Sequence, residues 1–328
     1  YNEKFSPQTN IIVGKNGSGK TSILEAISFL TTGKSFRKKH NQSIIKKEKK
    51  ELQIQATIIS KEEKKIKLIY SGKKKQFYKN NKIIKTTTSL LKETSIVCDS
   101  PEEIDIIEEY RKEKQQYFDK IIFKIDEEHI ENIKKYNKIL LYRNTLLEQQ
   151  EPTAPWDDKI IYLGLEIWKK RALFFDIFLN VFNETQTKIK NKQKYKLEYK
   201  KKEPRNTQEY KYKLETNKKR TEVGPHKDNI DLHINNENIK EHGSQGEKKM
   251  LKYLLKITEA EIIKKRKKEK PIILLDDFFS KLDNENIMKI FSYFHRKFQV
   301  IITTTNTNDQ VLKNIQKNSR EIKIFNKI

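Results

Sequence analysis

Three of the chain's nine glycines fall within one short segment near its start, Gly14-Lys15-Asn16-Gly17-Ser18-Gly19-Lys20-Thr21. A β-type run precedes this segment at 10–13, and apolar residues at helical spacing follow it from Ile23 to Leu30. Glycine is retained where a backbone turns sharply or must approach a ligand closely. The segment satisfies the pattern GxxxxGK[ST], whose backbone N–H groups surround phosphate oxygens beside the N-terminus of the following helix. The order of strand, glycine loop and helix therefore predicts a P-loop nucleotide site in an α/β fold.

The side chains of this loop have separate expected roles. We expect Lys20 to contact the β- and γ-phosphates of ATP, and the Thr21 hydroxyl to bind Mg²⁺. The predicted nucleotide-binding residues of the loop are Gly14, Lys15, Asn16, Gly17, Ser18, Gly19, Lys20 and Thr21. ATP and Mg²⁺ are therefore the predicted cofactors.

A second apolar run, at 272–275, ends in two adjacent carboxylates, Asp276 and Asp277. A continuous apolar run of this length is typical of a buried parallel strand, and ligands bind at the carboxyl ends of such strands. Because Mg²⁺ prefers oxygen ligands, we expect Asp276 to hold the metal, directly or through water. Asp277 is then placed to orient or deprotonate the attacking water, so Asp277 and Lys20 are the predicted catalytic residues.

Three weaker motifs occur in the order found in ATPases of the ABC superclass. Ser244-Gln245-Gly246 precedes a helix predicted to begin near Lys248 and corresponds to the signature that completes the γ-phosphate site of a partner subunit. Ser280 and Asp283 lie where that superclass has a dimer-contacting loop. Thr304, at the end of the next predicted strand, lies where it has a γ-phosphate-sensing residue. Together with the glycine loop and the two carboxylates, these three motifs resemble the site of an ABC-superclass ATPase, and this resemblance implies a dimer that forms around ATP.

The apolar periodicity changes twice between the two halves of this site. Alternation with a Ser-Gly turn at 71 and 72 predicts an antiparallel β meander from about 51 to 86. From Ser100, an expected N-cap, to about Phe182 the spacing is helical. The predicted fold class is α/β: an ABC/SMC-type P-loop ATPase lobe with an antiparallel β meander, interrupted by a helical second lobe. The expected domains are residues 1–99 (first part of the ATPase lobe), 100–220 (helical insert with a basic connector) and 221–328 (second part of the ATPase lobe).

The chain carries 70 basic and 45 acidic side chains, a net charge of +25 that attracts polyanions such as DNA. Residues 188–220 alone hold 14 basic and 4 acidic side chains. Two interpretations of this stretch stay open: a contact site for DNA phosphates, or a solvated, mobile connector. The candidate DNA-contacting residues are Lys188, Lys190, Lys192, Lys194, Lys200, Lys201 and Lys202.

Two observations bear on the cellular compartment. The sequence contains no apolar run long enough to cross a bilayer and no N-terminal secretion signal, so we expect no membrane partner. Its single cysteine, Cys98, excludes a disulfide framework and is typical of a reducing compartment. A cytoplasmic location is therefore expected.

Several strings outside the general ATPase motifs resemble the RecF family of bacterial DNA-repair ATPases, and the resemblance covers nearly the whole chain. They are Leu24-Glu25-Ala26-Ile27, Thr32-Gly33-Lys34-Ser35-Phe36-Arg37, Tyr136-Asn137, Arg143-Asn144, Trp156-Asp157, Thr221, Gly224-Pro225-His226-Lys227-Asp228 and Ser244-Gln245-Gly246. The string from Gly224 to Asp228, shortly before Ser244, is the most specific to the family. The resemblance implies an ATP-bound homodimer with weak, DNA-stimulated ATP hydrolysis. It also implies binding to single-strand/double-strand DNA junctions and loading of a recombinase with RecO and RecR.

The sequence also departs from the family pattern. The family has a strand before the position of Tyr1, and it has an arginine pair where this chain has Gln115-Gln116-Tyr117-Phe118-Asp119. His226, in a turn beside proline, is expected to be structural rather than a catalytic base. Two other functions remain as alternatives: the ATPase subunit of a membrane transporter, and a nucleotide-gated DNA clamp with negligible turnover.

Overall fold

The structure is a computed structural model, and it describes residues 2–35, 44–46, 49–59, 62–100, 106–216, 219–280, 282–305 and 322–327. Phe36 and Arg37, which carry part of the family resemblance, lie outside these ranges, as does the start of the helix predicted after Ser100. The chain divides into two compact units. The first contains residues 1–103 and 263–328, and the second contains residues 104–262.

A five-stranded parallel sheet forms the centre of the first unit, with its strands in the order β12-β1-β11-β10-β6. The strands are β1 (Thr9–Gly14), β6 (Ile96–Asp99), β10 (Ile272–Leu275), β11 (Gln299–Thr304) and β12 (Ile322–Lys327). The helix that follows the glycine loop is α1 (Lys20–Thr32). Its Leu24 belongs to one core cluster with Ile12 of β1, Leu274 of β10 and Ile301 of β11. Because every strand runs the same way, their carboxyl ends meet at one edge of the sheet.

The predicted meander is present in the first unit as an antiparallel four-stranded sheet. Its strands are β2 (Leu52–Ile59), β3 (Glu63–Tyr70), β4 (Lys75–Lys79) and β5 (Lys82–Ile84), and α2 (Thr87–Glu93) follows them. The inner face of this sheet buries Leu68, Tyr70 and Phe77 against Phe29 of α1. The helix α9 (Asn284–His295) lies between β10 and β11 in sequence.

The second unit consists mainly of helices with a small three-stranded antiparallel sheet. Its elements are α3 (Arg111–Ile125), α4 (Glu127–Glu148), α5 (Ala154–Ile189), β7 (Tyr195–Lys200), α6 (Thr207–Thr216), β8 (Asn229–Ile234), β9 (Glu237–Asn238), α7 (Ile239–His242) and α8 (Gln245–Lys267). A short 3-10 turn covers Pro225–Lys227, and α8 belongs to the first unit from Ile263 onward. The core joins Tyr136 of α4, Trp168 of α5 and Tyr210 of α6.

The second unit extends further along the chain than the sequence analysis predicted. The expected boundary lies at 220/221, whereas the compact unit ends at Ile262. The reason is long-range strand pairing: β7 pairs with β8 in the register Glu198↔Asp231, which ties residues after 221 to the helical insert. The described part of residues 188–220 contains the end of α5, β7 and α6, and its role in DNA contact stays a prediction.

Within the described part of the chain, no helix combines the length and apolar character that crossing a bilayer requires.

Candidate functional site

The glycine loop connects β1 to α1 at the carboxyl edge of the parallel sheet. Gly17 and Gly19 have φ angles of 82° and 83°, in the left-handed region that residues with a side chain rarely adopt. Gly19 is also the N-cap of α1 and uses no side-chain hydrogen bond, so the first N–H groups of the helix have no side-chain cap from this residue. The buried Ser18 hydroxyl has no hydrogen-bond partner among the described residues. The loop thus carries donors suited to an anion.

Lys20 lies folded over the loop with only 7% of its surface exposed. Its Nζ donates to the carbonyl oxygens of Gly14 at 2.7 Å and Lys15 at 2.8 Å. Burial lowers the pKa of the Lys20 ammonium, and the nearby carboxylates of Asp276 and Asp277 oppose this by favouring the charged form. An ammonium has three N–H donors, so one remains for a phosphate oxygen.

Asp276 joins the loop to the neighbouring strands. Its Oδ1 accepts hydrogen bonds from the Thr21 hydroxyl at 3.0 Å and from the Thr303 hydroxyl at 2.5 Å. Because Thr21 uses its hydroxyl hydrogen on Asp276, the lone pairs of its oxygen stay available to a cation. Hydroxyl and carboxylate oxygens are the ligands that Mg²⁺ prefers, so Thr21 and Asp276 fit this metal.

Asp277 has an unusual backbone conformation. Its φ is 51°, which is uncommon for a residue other than glycine but is tolerated by Asp and Asn. The Asp277 N–H donates to Thr303 Oγ1 at 3.0 Å, and its carbonyl accepts from Ser280 Oγ at 2.9 Å. Thr303 therefore contacts both acids, since its hydroxyl group also donates to Asp276.

The sequence analysis named Thr304 rather than Thr303 as the sensing residue. Thr304 is buried at the end of β11 and is paired in register with Val13. Thr303 was part of the same threonine run, but nothing in the sequence indicated which of the adjacent hydroxyls would meet the acids.

The two predicted dimer-contact residues both have partners within this chain. Ser280 donates to the Asp277 carbonyl, and Asp283 is the N-cap of α9. Asp283 Oδ1 accepts from the Asn286 N–H at 2.8 Å, and this bond lowers the pKa of the Asp283 carboxyl. Lys281, between them, lies outside the described residues.

The signature Ser244-Gln245-Gly246 belongs to the second unit, where it starts α8. The helix begins at Gln245, so the prediction of a start near Lys248 was wrong by about one turn. Ser244 and Glu247 form a capping box: the Ser244 N–H and hydroxyl donate to Glu247 Oε2 at 2.9 and 2.8 Å, and the Glu247 N–H donates to Ser244 Oγ at 3.3 Å. Ser244 and Gln245 are exposed, which leaves this helix start open to a ligand or to another chain.

Six of the seven candidate DNA-contacting lysines fall into two groups, and Lys190 belongs to neither. Lys188, Lys200 and Lys201 form ion pairs with Glu184, Asp231 and Glu203 respectively. Lys192, Lys194 and Lys202 are exposed and have no ion pair within 4.0 Å among the residues that the structure describes. Lys190 ends α5 in the left-handed conformation, with a φ of 54°. The second group is better suited to bind phosphates, because its charges are not already matched by a carboxylate.

Several of the residues that carry the family resemblance contact one another within the second unit. Arg143 donates to Asp157 Oδ1 at 2.7 Å and to Thr221 Oγ1 at 2.9 Å, and Asn144 Oδ1 accepts from the Thr221 N–H at 3.0 Å. Gly224, with a φ of 141°, approaches Tyr136 so closely that a Cβ there would collide with the tyrosine hydroxyl. These contacts hold α4, the start of α5 and the segment at 221–224 together within the second unit.

His226 has the structural role expected from its sequence position. Its Nε2–H donates to the Thr221 carbonyl at 3.1 Å, and its Nδ1 lies 2.8 Å from the Tyr136 hydroxyl. A carbonyl can only accept, so the hydrogen is on Nε2, and Nδ1 of the neutral ring accepts from Tyr136. Burial lowers the pKa of His226, which favours this neutral form.

A buried ionic network that the sequence analysis missed centres on Arg171 of α5. Its guanidinium binds Asp119 through two bonds of 3.0 and 2.8 Å, and it donates to Asp228 Oδ2 at 2.9 Å. His129 Nε2 lies 2.8 Å from Asp119 Oδ1. Despite its burial, the pKa of Asp119 falls to about 2, since Arg171 favours the charged carboxylate. Gln115, at the departure from the family's arginine pair, donates to the Asp228 carbonyl at 2.6 Å.

Comparison with known proteins identifies the family. The family described as RecF/RecN/SMC N terminal domain matches residues 1–326. The DNA replication and repair protein RecF of Carboxydothermus hydrogenoformans is 33% identical over 323 residues, which cover 94% of this chain and 91% of the relative. A solved structure of the recombination mediator protein RecF-ATP in the RecFOR pathway has a TM-score of 0.81 at 28% identity, covering 94% of this chain and 88% of the other.

A more distant likeness concerns the fold alone. The Smc head domain of Pyrococcus furiosus, solved with the C-terminal domain of ScpA, has a TM-score of 0.51 at 18% identity and covers 94% of this chain and 86% of its own. The α/β fold with its parallel and antiparallel sheets is therefore that of an ABC/SMC-type ATPase, as the sequence predicted. From the matched span and the curated relatives together, the chain belongs to the RecF family of DNA replication and repair proteins.

Proposed function

We propose that this chain binds and slowly hydrolyses ATP with Mg²⁺, and that ATP joins two copies of it on DNA. The observation that carries the nucleotide site is the hydrogen-bonded set of Thr21, Asp276 and Thr303 beside the buried ammonium of Lys20. The solved relative described as RecF-ATP supports the choice of nucleotide.

Each residue of the site has a separate role in ATP hydrolysis. Mg²⁺, when bound, neutralises charge on the β- and γ-phosphate oxygens. Thr21 and Asp276 hold the metal, and Lys20 turns its remaining donor toward the phosphates. Asp277 accepts a proton from the attacking water or orients it, and Thr303 fixes the turn that carries both acids.

A dimer would place the signature of one copy against the nucleotide of the other. The exposed start of α8 supports this, because the first N–H groups of a helix favour a negatively charged group. Thr304, Ser280 and Asp283 are the further residues that we assign to the γ-phosphate site and the dimer contact.

We further propose that the dimer acts in the cytoplasm on gapped DNA and loads a recombinase together with RecO and RecR. The net charge of +25 supports binding to DNA through phosphates. The description of the solved relative as a recombination mediator of the RecFOR pathway supports the partners. Membership of the RecF family argues against the transporter subunit.

Size-exclusion chromatography tests the ATP-dependent dimer. The protein is expected to elute as a monomer alone and as a dimer with ATP, Mg²⁺ and gapped DNA, because the nucleotide would supply the contacts between copies. A Lys20→Ala variant, which lacks the phosphate-binding ammonium, should stay monomeric under both conditions. A dimer that forms equally well without nucleotide would contradict the proposal.

The two groups of lysines give a matched test of the DNA contact. Replacing Lys192, Lys194 and Lys202 together by Gln is expected to weaken DNA binding. It should also reduce the slope of log K against log salt by about 0.9 for each lost phosphate contact. Replacing Lys188, Lys200 and Lys201 should have a smaller effect, since their charges already pair with carboxylates. Fluorescence anisotropy with a labelled duplex at several salt concentrations measures both. If the variant of Lys192, Lys194 and Lys202 binds DNA with unchanged affinity, these lysines do not contact DNA.

A further inference from the structure

Two aromatic rings stack on each other at the surface where α4 ends and α5 begins. The rings of Tyr142 and Trp156 lie 5.6 Å apart between centroids at an interplanar angle of 20°. Tyr142 is 48% exposed, and Trp156 is partly exposed. Large exposed aromatic groups are often binding sites, whereas the second tryptophan, Trp168, is fully buried and donates to Asp228.

Lysines surround this aromatic pair. Lys138 Nζ lies 5.7 Å from the centre of the Tyr142 ring, and Lys159 Nζ lies 5.1 Å from that of Trp156. Lys134 lies one turn before Lys138 on α4, so these two lysines and Tyr142 follow each other at i, i+4 spacing on one helix face. Among the described residues, no carboxylate forms an ion pair with Lys134, Lys138 or Lys159.

A buried ion pair joins the helix segments that carry the two rings. The next residue, Asp157, is buried and forms an ion pair of 2.7 Å with Arg143, which adjoins Tyr142 on α4. This buried pair holds the start of α5 against the end of α4, so both rings sit on rigid helical backbone. A ligand that stacks on them would lose little binding energy to ordering the site.

Stacked aromatic rings beside ammonium groups that have no carboxylate partner among the described residues suit one class of ligand. Single-stranded nucleic acid offers flat bases that stack on aromatic rings and phosphates that attract lysine. A lysine resting over an exposed ring stabilises less than a stacked base does, so a base can displace it. The displaced ammonium stays within reach of the adjoining phosphate. In a duplex, by contrast, the bases are already stacked on each other.

We propose that Tyr142 and Trp156, with Lys134, Lys138 and Lys159, form a contact site for single-stranded DNA. The inference rests on the proposed DNA binding and assigns the single-stranded part of a gap to the end of α4 and the start of α5. In this site the bases stack on the aromatic pair and the lysines bind the backbone.

Intrinsic fluorescence tests this site directly, because the chain has two tryptophans and one of them is buried. A thymidine oligonucleotide of about 12 residues is expected to quench the emission of the full chain, since stacking on a base quenches tryptophan. The quenching should be absent in a Trp156→Phe variant, which keeps an aromatic ring. Trp156→Ala and Tyr142→Ala should each weaken oligonucleotide binding by about fivefold to a hundredfold.

Matched controls separate the possible outcomes. Tyr212→Ala removes a more exposed ring on α6, 66% exposed against 48% for Tyr142, and should leave the affinity unchanged. Circular dichroism checks that each variant folds. If Trp156→Ala and Tyr142→Ala bind the oligonucleotide as tightly as the unaltered protein does, the proposed aromatic site is wrong. The proposed binding of DNA by another surface would not be affected by this result. Quenching that persists in Trp156→Phe would also contradict the proposed aromatic site. If the full chain binds neither the oligonucleotide nor a gapped duplex, the proposed DNA binding fails as well.

Discussion

An Asp277→Asn protein is expected to bind ATP with near-normal affinity and to hydrolyse it about 10²- to 10⁴-fold more slowly. The amide has the shape of the carboxylate but cannot accept the proton of the attacking water. Asn also tolerates a left-handed backbone, so the φ of 51° and the bonds of this turn to Thr303 and Ser280 should be kept. Single-turnover hydrolysis and equilibrium nucleotide binding measure the two effects separately. The ATP-bound dimer of this variant should also persist longer.

Lys20→Ala is the matched variant for this experiment, because it should remove nucleotide binding itself. The contrast between lost binding in one variant and lost turnover in the other would separate the two roles. Normal hydrolysis by Asp277→Asn would reject Asp277 as the residue that acts on water. Negligible hydrolysis by the unaltered chain would instead favour the nucleotide-gated DNA clamp.

The nucleotide loop and the acids after β10 could be predicted because each depends on local sequence. A glycine loop between a strand and a helix has few possible geometries, and an apolar run that ends in carboxylates marks the end of a buried strand. The structure brings Thr21 within 3.0 Å of Asp276 although 255 residues separate them. The choice between Thr303 and Thr304 depends on how β11 is pleated beside β10, which local sequence does not determine.

Other features of the chain were not accessible from local patterns. The start of α8 was placed near Lys248 rather than at Gln245, because Gln245 and Gly246 gave no apolar signal of their own. Two interpretations of the basic stretch around Lys200 stayed open, because the strand β7 is stabilised by pairing with β8, which is distant in the sequence. A charged residue such as Arg171 in a long helix is usually on the surface, and its partner Asp119 lies 52 residues away.

Within the second unit, we expect a substitution in the buried network around Arg171 to reduce the free energy of unfolding most. Arg171→Met is expected to lower the free energy of unfolding by about 3–5 kcal/mol, because Asp119 and Asp228 would remain buried without their countercharge. Urea unfolding followed by circular dichroism measures the loss. Lys170→Met, at the adjacent position, is the matched control. Lys170 pairs with Asp126 and with the exposed Glu128, so about 1 kcal/mol or less is expected there.

Urea unfolding of the same proteins at several pH values separates a lost ion pair from lost packing, because only the loss of a charge interaction depends on pH. The folded-state pKa of Asp119, about 2, lies below its ordinary value of 3.8, so its contribution to stability is complete above pH 4 and disappears as the pH falls toward 2. Removing Arg171 takes away the main group that favours the charged carboxylate, and the pKa of Asp119 should then rise. The free energy of unfolding that Arg171→Met loses relative to the unaltered chain is therefore expected to be largest near pH 7 and to shrink as the pH falls toward 2, because protonating Asp119 removes its unpaired buried charge. Lys170→Met should lose about 1 kcal/mol or less at each pH. A loss for Arg171→Met that is the same near neutral pH and in acid would show that Arg171 contributes through packing rather than through charge.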